Sequence, residues 1–393
     1  MTERLYYHDP YLREFDADVV EQTTHEGHPA VVLNRTAFYP TSGGQPYDVG
    51  TLSDARVLDV IDDPGGRILH VLERLPDGTR VAGRIDWARR FDHMQQHTGQ
   101  HVLSAAFDRL VGARTESFHL GADYSTIDLG RALSPSEIAR AEREANRLVW
   151  DDRPVTIRFA GPEELASLSL RKAPAREGTL RLIDVEDFDL SACGGTHVLR
   201  TGAIGIIAVA ATERFKGGVR VTFLCGGRAL DGYHALRDAV AGSVRALSVL
   251  PAELPVTIER LQADARDLRK QIKDQQMQLA AHHADALAEA AIDVGGVRLV
   301  ATSLAGWDAN GLKAIASRIA ERPGHVAILV SEPPPGALVV ARAAGLPQDA
   351  GAMLRQLLAQ HGGKGGGRPE LAQGGGVTSP AAAVLDSARG LIT

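Results

Sequence analysis

Cysteine is scarce in this chain, and its scarcity excludes one class of fold. Only Cys193 and Cys225 occur among 393 residues, too few for the disulfide framework of a small secreted protein and consistent with a reducing compartment. Long apolar runs are also missing: none approaches the roughly 18 residues that a membrane span requires, and the first residues lack the apolar core of a signal peptide. These absences predict a cytoplasmic protein with no membrane contact.

Positive charge is not in excess either, because the formal net charge is −6. Any contact with nucleic acid must therefore come from local basic patches and not from overall attraction. The length and the 44% of hydrophobic residues suffice for two or three domains with real cores. Composition alone does not indicate an RNA ligand.

Three histidines stand out within residues 89–110, where His93, His97 and His101 follow one another at four-residue steps. On an α-helix this spacing stacks the imidazole rings on one face. One metal ion cannot bind all three, because eight residues of helix rise about 12 Å, whereas a zinc ion with N–Zn bonds of about 2 Å reaches only neighbours four apart. The pattern therefore predicts a pair, either His93 with His97 or His97 with His101.

A second cluster, C-G-G-T-H at residues 193–197, favours a metal site. Its two glycines let the backbone fold back, so that the thiolate of Cys193 and the imidazole of His197 can converge on one ion. Two surface histidines on an amphipathic helix remain the competing interpretation of the first motif alone. Together the two motifs form a complete set of nitrogen and sulfur ligands, whereas Cys225 is predicted to be a small core residue.

The first 86 residues are predicted to form a small antiparallel β-barrel, because short apolar runs alternate with turn-forming residues. The predicted strands are residues 30–33, 57–60, 68–72 and 81–85. Within this domain, residues 38–48 form a loop rich in glycines, hydroxyls and amides, which is either an ordinary hairpin loop or part of a binding site.

The rest of the chain is predicted to contain three further units. Residues 87–228 indicate an α+β domain that starts with the histidine-bearing helix, and a strong N-cap at Ser134 opens a second helix. Residues 229–292 indicate a helical hairpin or short coiled coil that serves as a spacer or dimer seam, because apolar residues follow a three-four spacing. Residues 293–393 alternate strands and helices and predict a small α/β domain.

A glycine-rich segment near the C-terminus carries two cations, Lys364 and Arg368. A phosphate-binding P-loop requires Ser or Thr after its lysine, and Gly365 stands there, so nucleotide hydrolysis at this segment is rejected. A flexible low-complexity loop is the plain alternative. A glycine loop with two cations beside a helix end suits a phosphodiester backbone.

The motifs H-T-G-Q-H and C-G-G-T-H resemble the editing domain of alanyl-tRNA synthetases and its freestanding relatives, the AlaX proteins. The segment G-G-K-G-G-G-R-P is similar to a motif of the DHH-associated domain that follows the editing domain in these synthetases. The similarity runs from about residue 35 to the C-terminus and is closest to the long AlaX form, which includes a DHH-associated domain. It implies one zinc ion per chain, with His93 outside the ligand set. The ligands implied are His97, His101, Cys193 and His197.

The resemblance also implies roles for other residues. The segment containing Thr41, Ser42 and Gln45 is similar to the wall of the family's amino-acid pocket, where the two hydroxyls would hold a substrate hydroxyl. Glu116 is a candidate for positioning a water molecule, as is His93, and His119 is expected in a turn that lines the site. The acidic residue that synthetases often have before the cysteine is absent, although Asp187 and Asp189 lie nearby. Lys364 and Arg368 are expected to contact tRNA.

The reaction implied is hydrolysis of the ester that joins a wrong amino acid, serine or glycine, to the 3′ end of alanine tRNA. The expected partner is mischarged alanine tRNA, and a homodimer could form through the helical spacer or the C-terminal domain. Too few residues precede the barrel for a class II aminoacylation core, so alanine activation is not expected. Two alternatives remain: a zinc-stabilised RNA-binding protein without catalysis, which the closed ligand count favours, and a zinc esterase or peptidase acting on small molecules, although no H-E-x-x-H occurs.

Overall fold

The computed structural model describes residues 1–172 and 178–392. By their internal contacts they form two compact units, Met1–Ser243 and Val244–Thr393. The fold is a mixture of helices and sheets and begins with a closed six-stranded barrel, so the predicted barrel is confirmed. The finer division into four domains stays a prediction.

The barrel is built from antiparallel neighbours, and all four predicted strands occur in it. Two further strands were not predicted, because Glu14–His25 is largely polar and Gly50–Leu52 is short. Only alternate residues in the first half of Glu14–His25 point into the core. Around the barrel the strands follow the order Glu14–His25, His28–Leu33, Ile68–Leu72, Ala55–Asp62, Gly50–Leu52 and Arg80–Ile85. A short parallel pair, Glu3–Arg4 with Arg35–Thr36, and the 3-10 turn Leu5–Tyr7 complete this region.

The histidine helix spans Trp87–Val111, begins after the N-cap Asp86 and ends at Gly112 in the left-handed conformation. Its Arg90 is fully buried and anchors the barrel loop that precedes it. The guanidinium forms an ion pair with Asp48 and donates to the carbonyl oxygen of Ala37 at 2.6 Å. A buried ion pair with several hydrogen bonds has defined geometry, so residues 38–48 are held against the helix.

The remainder of the first unit packs two sheets and a second helix around the histidine helix. The second helix, Pro135–Asp151, carries the predicted cap as a complete capping box between Ser134 and Glu137. One sheet contains Ile207–Phe215, Gly218–Cys225, Ser125–Leu129 and Thr115–Leu120, and the other contains Val155–Ala160, Leu180–Val185 and Asp189–Ala192. The short helices are Pro162–Leu165 and Thr201–Ile204.

Two local predictions in this unit were wrong. Phe118 and His119 were expected in a turn, but they lie within the strand Thr115–Leu120, which pairs with Ser125–Leu129. The apolar run at residues 204–210 also predicts a strand, but the strand begins only at Ile207, because the 3-10 turn Thr201–Ile204 precedes it. In both cases pairing with a neighbouring strand decided the conformation, and this pairing is not visible in a local pattern.

Two long helices follow, Gly226–Leu247 and Leu254–Glu289, with the 3-10 turn Pro251–Glu253 before the second. The three-four spacing of apolar residues predicts the start of the longer helix at Ile258, but this helix begins at Leu254, because proline is tolerated in the first helical turn. Among the described residues no single helix is long and apolar enough to cross a membrane, and only the bent pair Gly226–Leu247 with Pro251–Glu289 passes that test by length and composition.

The second unit is built on a six-stranded sheet with helices on both faces. One neighbouring pair, Val297–Ala305 with His325–Glu332, is parallel, and the other pairs are antiparallel. The sheet order is Ile292–Val294, Val297–Ala305, His325–Glu332, Gly336–Arg342, Leu371–Val377 and Lys364–Gly367. The helices of this unit after Glu289 are Ala309–Ala320, Ala350–His361 and Ala381–Arg389.

The glycine-rich segment is a β-hairpin, and the prediction of a loop was wrong. Lys364–Gly367 pairs with Leu371–Val377 at the edge of the sheet, and Arg368 begins the turn between them. A Cβ atom at Gly365 or Gly367 would overlap the backbone of the partner strand. Glycine is therefore required here by close strand packing, although glycine runs are usually poor strand formers. We call these two strands and their turn the glycine hairpin.

Candidate metal centre

The four predicted ligands converge in the first unit. His97 and His101 come from the histidine helix, and Cys193 and His197 come from the segment after strand Asp189–Ala192. Their ligand atoms all lie within 4.8 Å of one another. The Cys193 sulfur lies 3.4 Å from His97 Nε2 and 3.3 Å from His197 Nε2. A tetrahedron with ordinary zinc bonds has an N···S edge of about 3.5 Å, so the group fits a zinc ion.

The loop that carries the cysteine is held by glycine and by a buried arginine. A Cβ atom at Gly195 would overlap the His97 ring, so only glycine allows this approach. The Arg181 side chain donates from Nη1 to the carbonyl oxygens of Cys193 at 2.7 Å and of Gly195 at 2.9 Å. The tight turn expected from C-G-G-T-H is therefore present, and Arg181 fixes it from a distant strand.

Each of the three histidines makes a second contact through its Nδ1 atom. Gln45 Oε1 lies 2.8 Å from His97 Nδ1, and Thr98 Oγ1 lies 3.1 Å from His197 Nδ1. Asp189 Oδ2 lies 3.0 Å from His101 Nδ1. When each Nδ1–H donates to its oxygen, the Nε2 lone pair is left for an ion.

Electrostatics favours a thiolate in the cluster. Burial acts to raise the pKa of the Cys193 thiol, but the neighbouring histidines, His97 and His197 first, hold this pKa well below its usual range. Burial also acts to lower the pKa of His101, yet the hydrogen bond with Asp189 and the proximity of Cys193 raise it to about 9. Because a thiolate is the ligand form of cysteine, Cys193 is prepared for a cation.

A cavity of about 290 Å³ opens above two of the ligands, His101 and Cys193. Its lining also includes Gly43 from the barrel loop and Phe118, whose ring centroid lies 6.0 Å from that of His97. Glu116 lines the same cavity. Two members of the ligand group therefore lie at the wall of this cavity.

The structure brings only some of the predicted catalytic residues to this cavity. Glu116 lines it, whereas Gln45 is fully buried and contacts His97 and Thr196. Thr41 and Ser42 are exposed in the barrel loop and are not among the residues that line it.

His119 does not face the metal cluster, contrary to the expected turn. Successive side chains of a strand point to opposite faces, so Phe118 faces the cavity while His119 faces away from it. His119 lines a separate cavity of about 590 Å³ with Tyr124 and Arg220.

His93 is separate from the ligand group, which decides between the two pairs that helical spacing left open. Its side chain is buried, and burial lowers its pKa to about 4. Among the described residues its Nδ1 atom has no hydrogen-bond partner. The pair in the cluster is His97 with His101.

Several residues of the site were not singled out in the sequence. Thr98 and Gln100 lie inside H-T-G-Q-H, and their place between two ligands was the available signal. Asp189, which the sequence shows only as an acidic residue near Cys193, contacts His101 and orients its ring. Arg181 had no local signal, because its role depends on strand pairing.

Sequence profiles match three parts of the chain. The profile for class II (A) tRNA synthetases matches residues 10–89, on the barrel. The profile for the threonyl and alanyl tRNA synthetase second additional domain matches residues 180–221, which include Cys193 and His197. The DHHA1 domain matches residues 296–392, which include the glycine hairpin. The first unit thus belongs to the class of proteins with tRNA synthetase modules, and it contains a buried His/Cys group.

Similarity to whole proteins identifies the family. The chain is 33% identical over 389 residues to the alanyl-tRNA editing protein AlaX-L of Pyrococcus horikoshii, covering 95% of this chain and 94% of that protein. It is 36% identical to the alanine–tRNA ligase of Pyrococcus furiosus over 95% of this chain, but spans only 42% of that ligase. The chain belongs to the AlaX-L family of alanyl-tRNA editing proteins. A likeness to the C-Ala domain from Aquifex aeolicus alanyl-tRNA synthetase has a TM-score of 0.25 at 20% identity, too low to inform the fold.

Proposed function

We propose that this protein is a trans-editing deacylase that hydrolyses the ester between alanine tRNA and a wrongly attached serine or glycine. The observation that carries the proposal is a buried His/Cys group at the wall of a cavity of about 290 Å³. Membership of the AlaX-L family supports the tRNA class of the substrate. The enzyme would act on aminoacyl-tRNA released by a synthetase, as a hydrolase of carboxylic esters.

The cofactor of this reaction is one zinc ion per chain, held by His97, His101, Cys193 and His197. The nitrogen and sulfur donors, their short separations and the acidified thiol all suit zinc better than a hard cation. A bound zinc ion would supply a fixed positive charge near the ester, which would stabilise the negative charge that develops on the carbonyl oxygen. Because four protein ligands fill a tetrahedral zinc, side chains of the cavity must orient the ester and the attacking water.

The cavity supports distinct roles for the predicted catalytic residues. Of the two groups expected to position water, Glu116 lines the cavity and His93 does not. Gln45 holds the His97 ring through Nδ1 and thereby acts on the ligand set and not directly on the ester. Thr41 and Ser42 remain the candidates for reading a substrate hydroxyl, which requires the loop at residues 38–48 to approach the bound ester.

The second unit supplies the proposed contact with the body of the tRNA. Lys364 and Arg368 are exposed on the glycine hairpin, and within residues 1–172 and 178–392 neither side chain forms an ion pair. Exposed cations and an edge strand with free backbone groups suit a phosphate backbone. A homodimer is also proposed, because apolar side chains at three-four spacing, including Leu261 and Leu268, are exposed on helix Leu254–Glu289.

Deacylation of alanine tRNA charged with serine, glycine or alanine tests the proposal. We expect hydrolysis of the first two, little hydrolysis of the third, and loss of activity in Cys193→Ala. A second candidate, an RNA-binding protein stabilised by zinc, is favoured by the filled ligand set; tRNA binding without any deacylation would establish it instead. Equal hydrolysis of a seryl ester without tRNA would indicate a small-molecule esterase.

Thr41→Val tests the reading of the substrate hydroxyl. Valine keeps the shape of threonine but leaves a bound serine hydroxyl without its partner, so the ratio of seryl to glycyl hydrolysis should fall while stability changes little. The ratio is measured with both charged tRNAs on wild type and variant. Identical ratios would remove Thr41 from the pocket.

A further inference from the structure

One residue that lines the cavity, Gln100, has a buried polar atom that the metal cluster does not explain. Gln100 lines the cavity, is 2% exposed, and donates from Nε2 to Ser104 Oγ at 2.8 Å. Its Oε1 atom is buried and has no hydrogen-bond partner among the described residues. An unpaired buried acceptor costs about 1–3 kcal/mol, so this atom is suited to receive a hydrogen-bond donor from a ligand.

The amide of Gln100 is anchored at its other end. Ser104 Oγ also accepts a hydrogen bond from Thr115 Oγ1 at 2.8 Å, and Thr115 lines the same cavity. Gln100 and Ser104 are one turn apart on the histidine helix, while Thr115 begins the strand that carries Glu116. The acceptor is therefore held by two elements and lies next in sequence to His101.

The cavity also contains one carboxylate without a partner among the described residues. Glu116 is the one carboxylate among the residues that line the cavity, and in the described part of the chain it forms no hydrogen bond or ion pair. Two cations share the lining. Arg171 is already paired with the buried Asp189 at 2.7 Å, and Lys172 is exposed. A carboxylate without a hydrogen-bonded partner and a neutral acceptor in the lining of one cavity are groups that a primary ammonium group can bind.

We propose that Gln100 Oε1 binds the α-ammonium group of the aminoacyl ester, with Glu116 providing the balancing charge. The inference rests on the proposed deacylase function and narrows its substrate class to esters with a free α-amino group. It excludes N-acylated esters, whose amide nitrogen has one hydrogen and no charge. Gln100 is thus a substrate-binding residue, and it lies in the motif H-T-G-Q-H between the metal ligands His97 and His101.

The test compares seryl-tRNA with N-acetylseryl-tRNA, both made on alanine tRNA. Wild-type protein should hydrolyse the free-amine substrate at least about tenfold faster, since a hydrogen bond to a charged group contributes about 1.5–3 kcal/mol. Gln100→Met, which keeps length and removes the acceptor, should bring the ratio close to one. Gln100→Glu, which keeps an acceptor, should preserve the ratio. Equal wild-type rates overturn the inference and leave the deacylase function standing, whereas no hydrolysis of either substrate overturns the deacylase function itself.

Binding provides a readout that does not depend on turnover. Calorimetry with 3′-deoxy-3′-(serylamino)adenosine, a stable amide, is compared with the same amide of 3-hydroxypropionic acid, which lacks the amino group. Wild type should bind the first about tenfold tighter, and Gln100→Met should bind both alike. Zinc content and thermal unfolding verify that each variant is folded. If Gln100→Met does not fold, Glu116→Gln is measured in its place, and it should reduce the preference for the amide that carries the amino group. Loss of the preference in Gln100→Glu would indicate a donor role for the amide and overturn the proposal.

Discussion

The candidate metal cluster of the first unit is formed by buried side chains, whereas the glycine hairpin of the second unit is formed mainly by exposed backbone. In the cluster, side chains from two distant segments meet in the core, and three of the four ligands are at most 4% exposed. In the hairpin, backbone forms the surface and the two cations Lys364 and Arg368 are exposed. The properties of the buried cluster therefore depend on side-chain geometry, whereas those of the exposed hairpin depend on backbone shape and charge.

The comparison shows where each region tolerates change. In the cluster, Asp189 orients the ring of His101 and Gln45 orients the ring of His97 through their contacts with Nδ1. In the hairpin, tolerance alternates along the strand: a Cβ atom at Gly367 would overlap the partner strand, while one at Gly366 would meet no atom within 4 Å. Substitutions can therefore separate geometry from charge in both regions.

The largest effect should come from removing a ligand. Cys193→Ala and His101→Ala should each lower the zinc content from about one per chain to near zero, because three remaining ligands bind zinc far more weakly. His93→Ala is the matched control on the same helix face and should keep its metal. Metal analysis of the purified variants measures this; unchanged zinc in both ligand variants would disprove the assignment.

A smaller loss is expected when a ligand's supporting contact is weakened. Asp189→Asn removes the charge behind His101 and should reduce zinc affinity about 10–100-fold, as for other residues that orient a metal-bound histidine. Competition with a chelator measures the affinity. Asp187→Asn, at an exposed position two residues away, serves as control and should bind zinc like wild type. Equal affinities for the two variants would contradict the role of Asp189.

Backbone packing should decide the outcome in the hairpin. Gly367→Ala should lower the free energy of unfolding of the second unit by about 1–3 kcal/mol, since the new methyl group overlaps Ala372 and the Leu371 carbonyl. Gly366→Ala adds the same methyl group into open space and should change stability by less than about 0.5 kcal/mol. Denaturant unfolding of the full chain provides both values. A similar change in both variants would show that the hairpin is not packed as described.

The smallest effect is expected from the hairpin charges. Replacing Lys364 and Arg368 by alanine should weaken tRNA binding and reduce the slope of log affinity against log salt by about 1.5, since two phosphate contacts and their counterions are lost. Titration with alanine tRNA at several salt concentrations measures this slope. Lys313→Ala, at an exposed position in the same unit, is the control. Were the double variant to keep the wild-type slope, the hairpin would not contact the phosphate backbone.

Elements with a strong local pattern were predictable. The capped helix Pro135–Asp151 and the barrel strand Ile68–Leu72 follow from cap residues and apolar runs. The strand Glu14–His25 was missed, because its polar residues are compatible with a strand only when neighbours on both sides complete the barrel. The glycine hairpin was predicted as a loop for a related reason: its strands are stabilised by close pairing and not by side-chain propensity.

For the site, the sequence alone determined the chemistry of the ligands. H-x-x-x-H on a helix and C-G-G-T-H in a turn define nitrogen and sulfur donors at distances that one zinc ion can bridge. The tertiary structure decided which histidine pair takes part and that Gln45 lies behind His97. It also decided that His119 faces away, and that Gln100 lines the cavity with an acceptor that has no partner among the described residues. These facts depend on contacts such as that of His97 with Gln45, 52 residues apart, and on which face of a strand each side chain occupies. Local spacing specifies neither the contacts between distant residues nor the face that a side chain occupies, because both arise only when distant segments pack together.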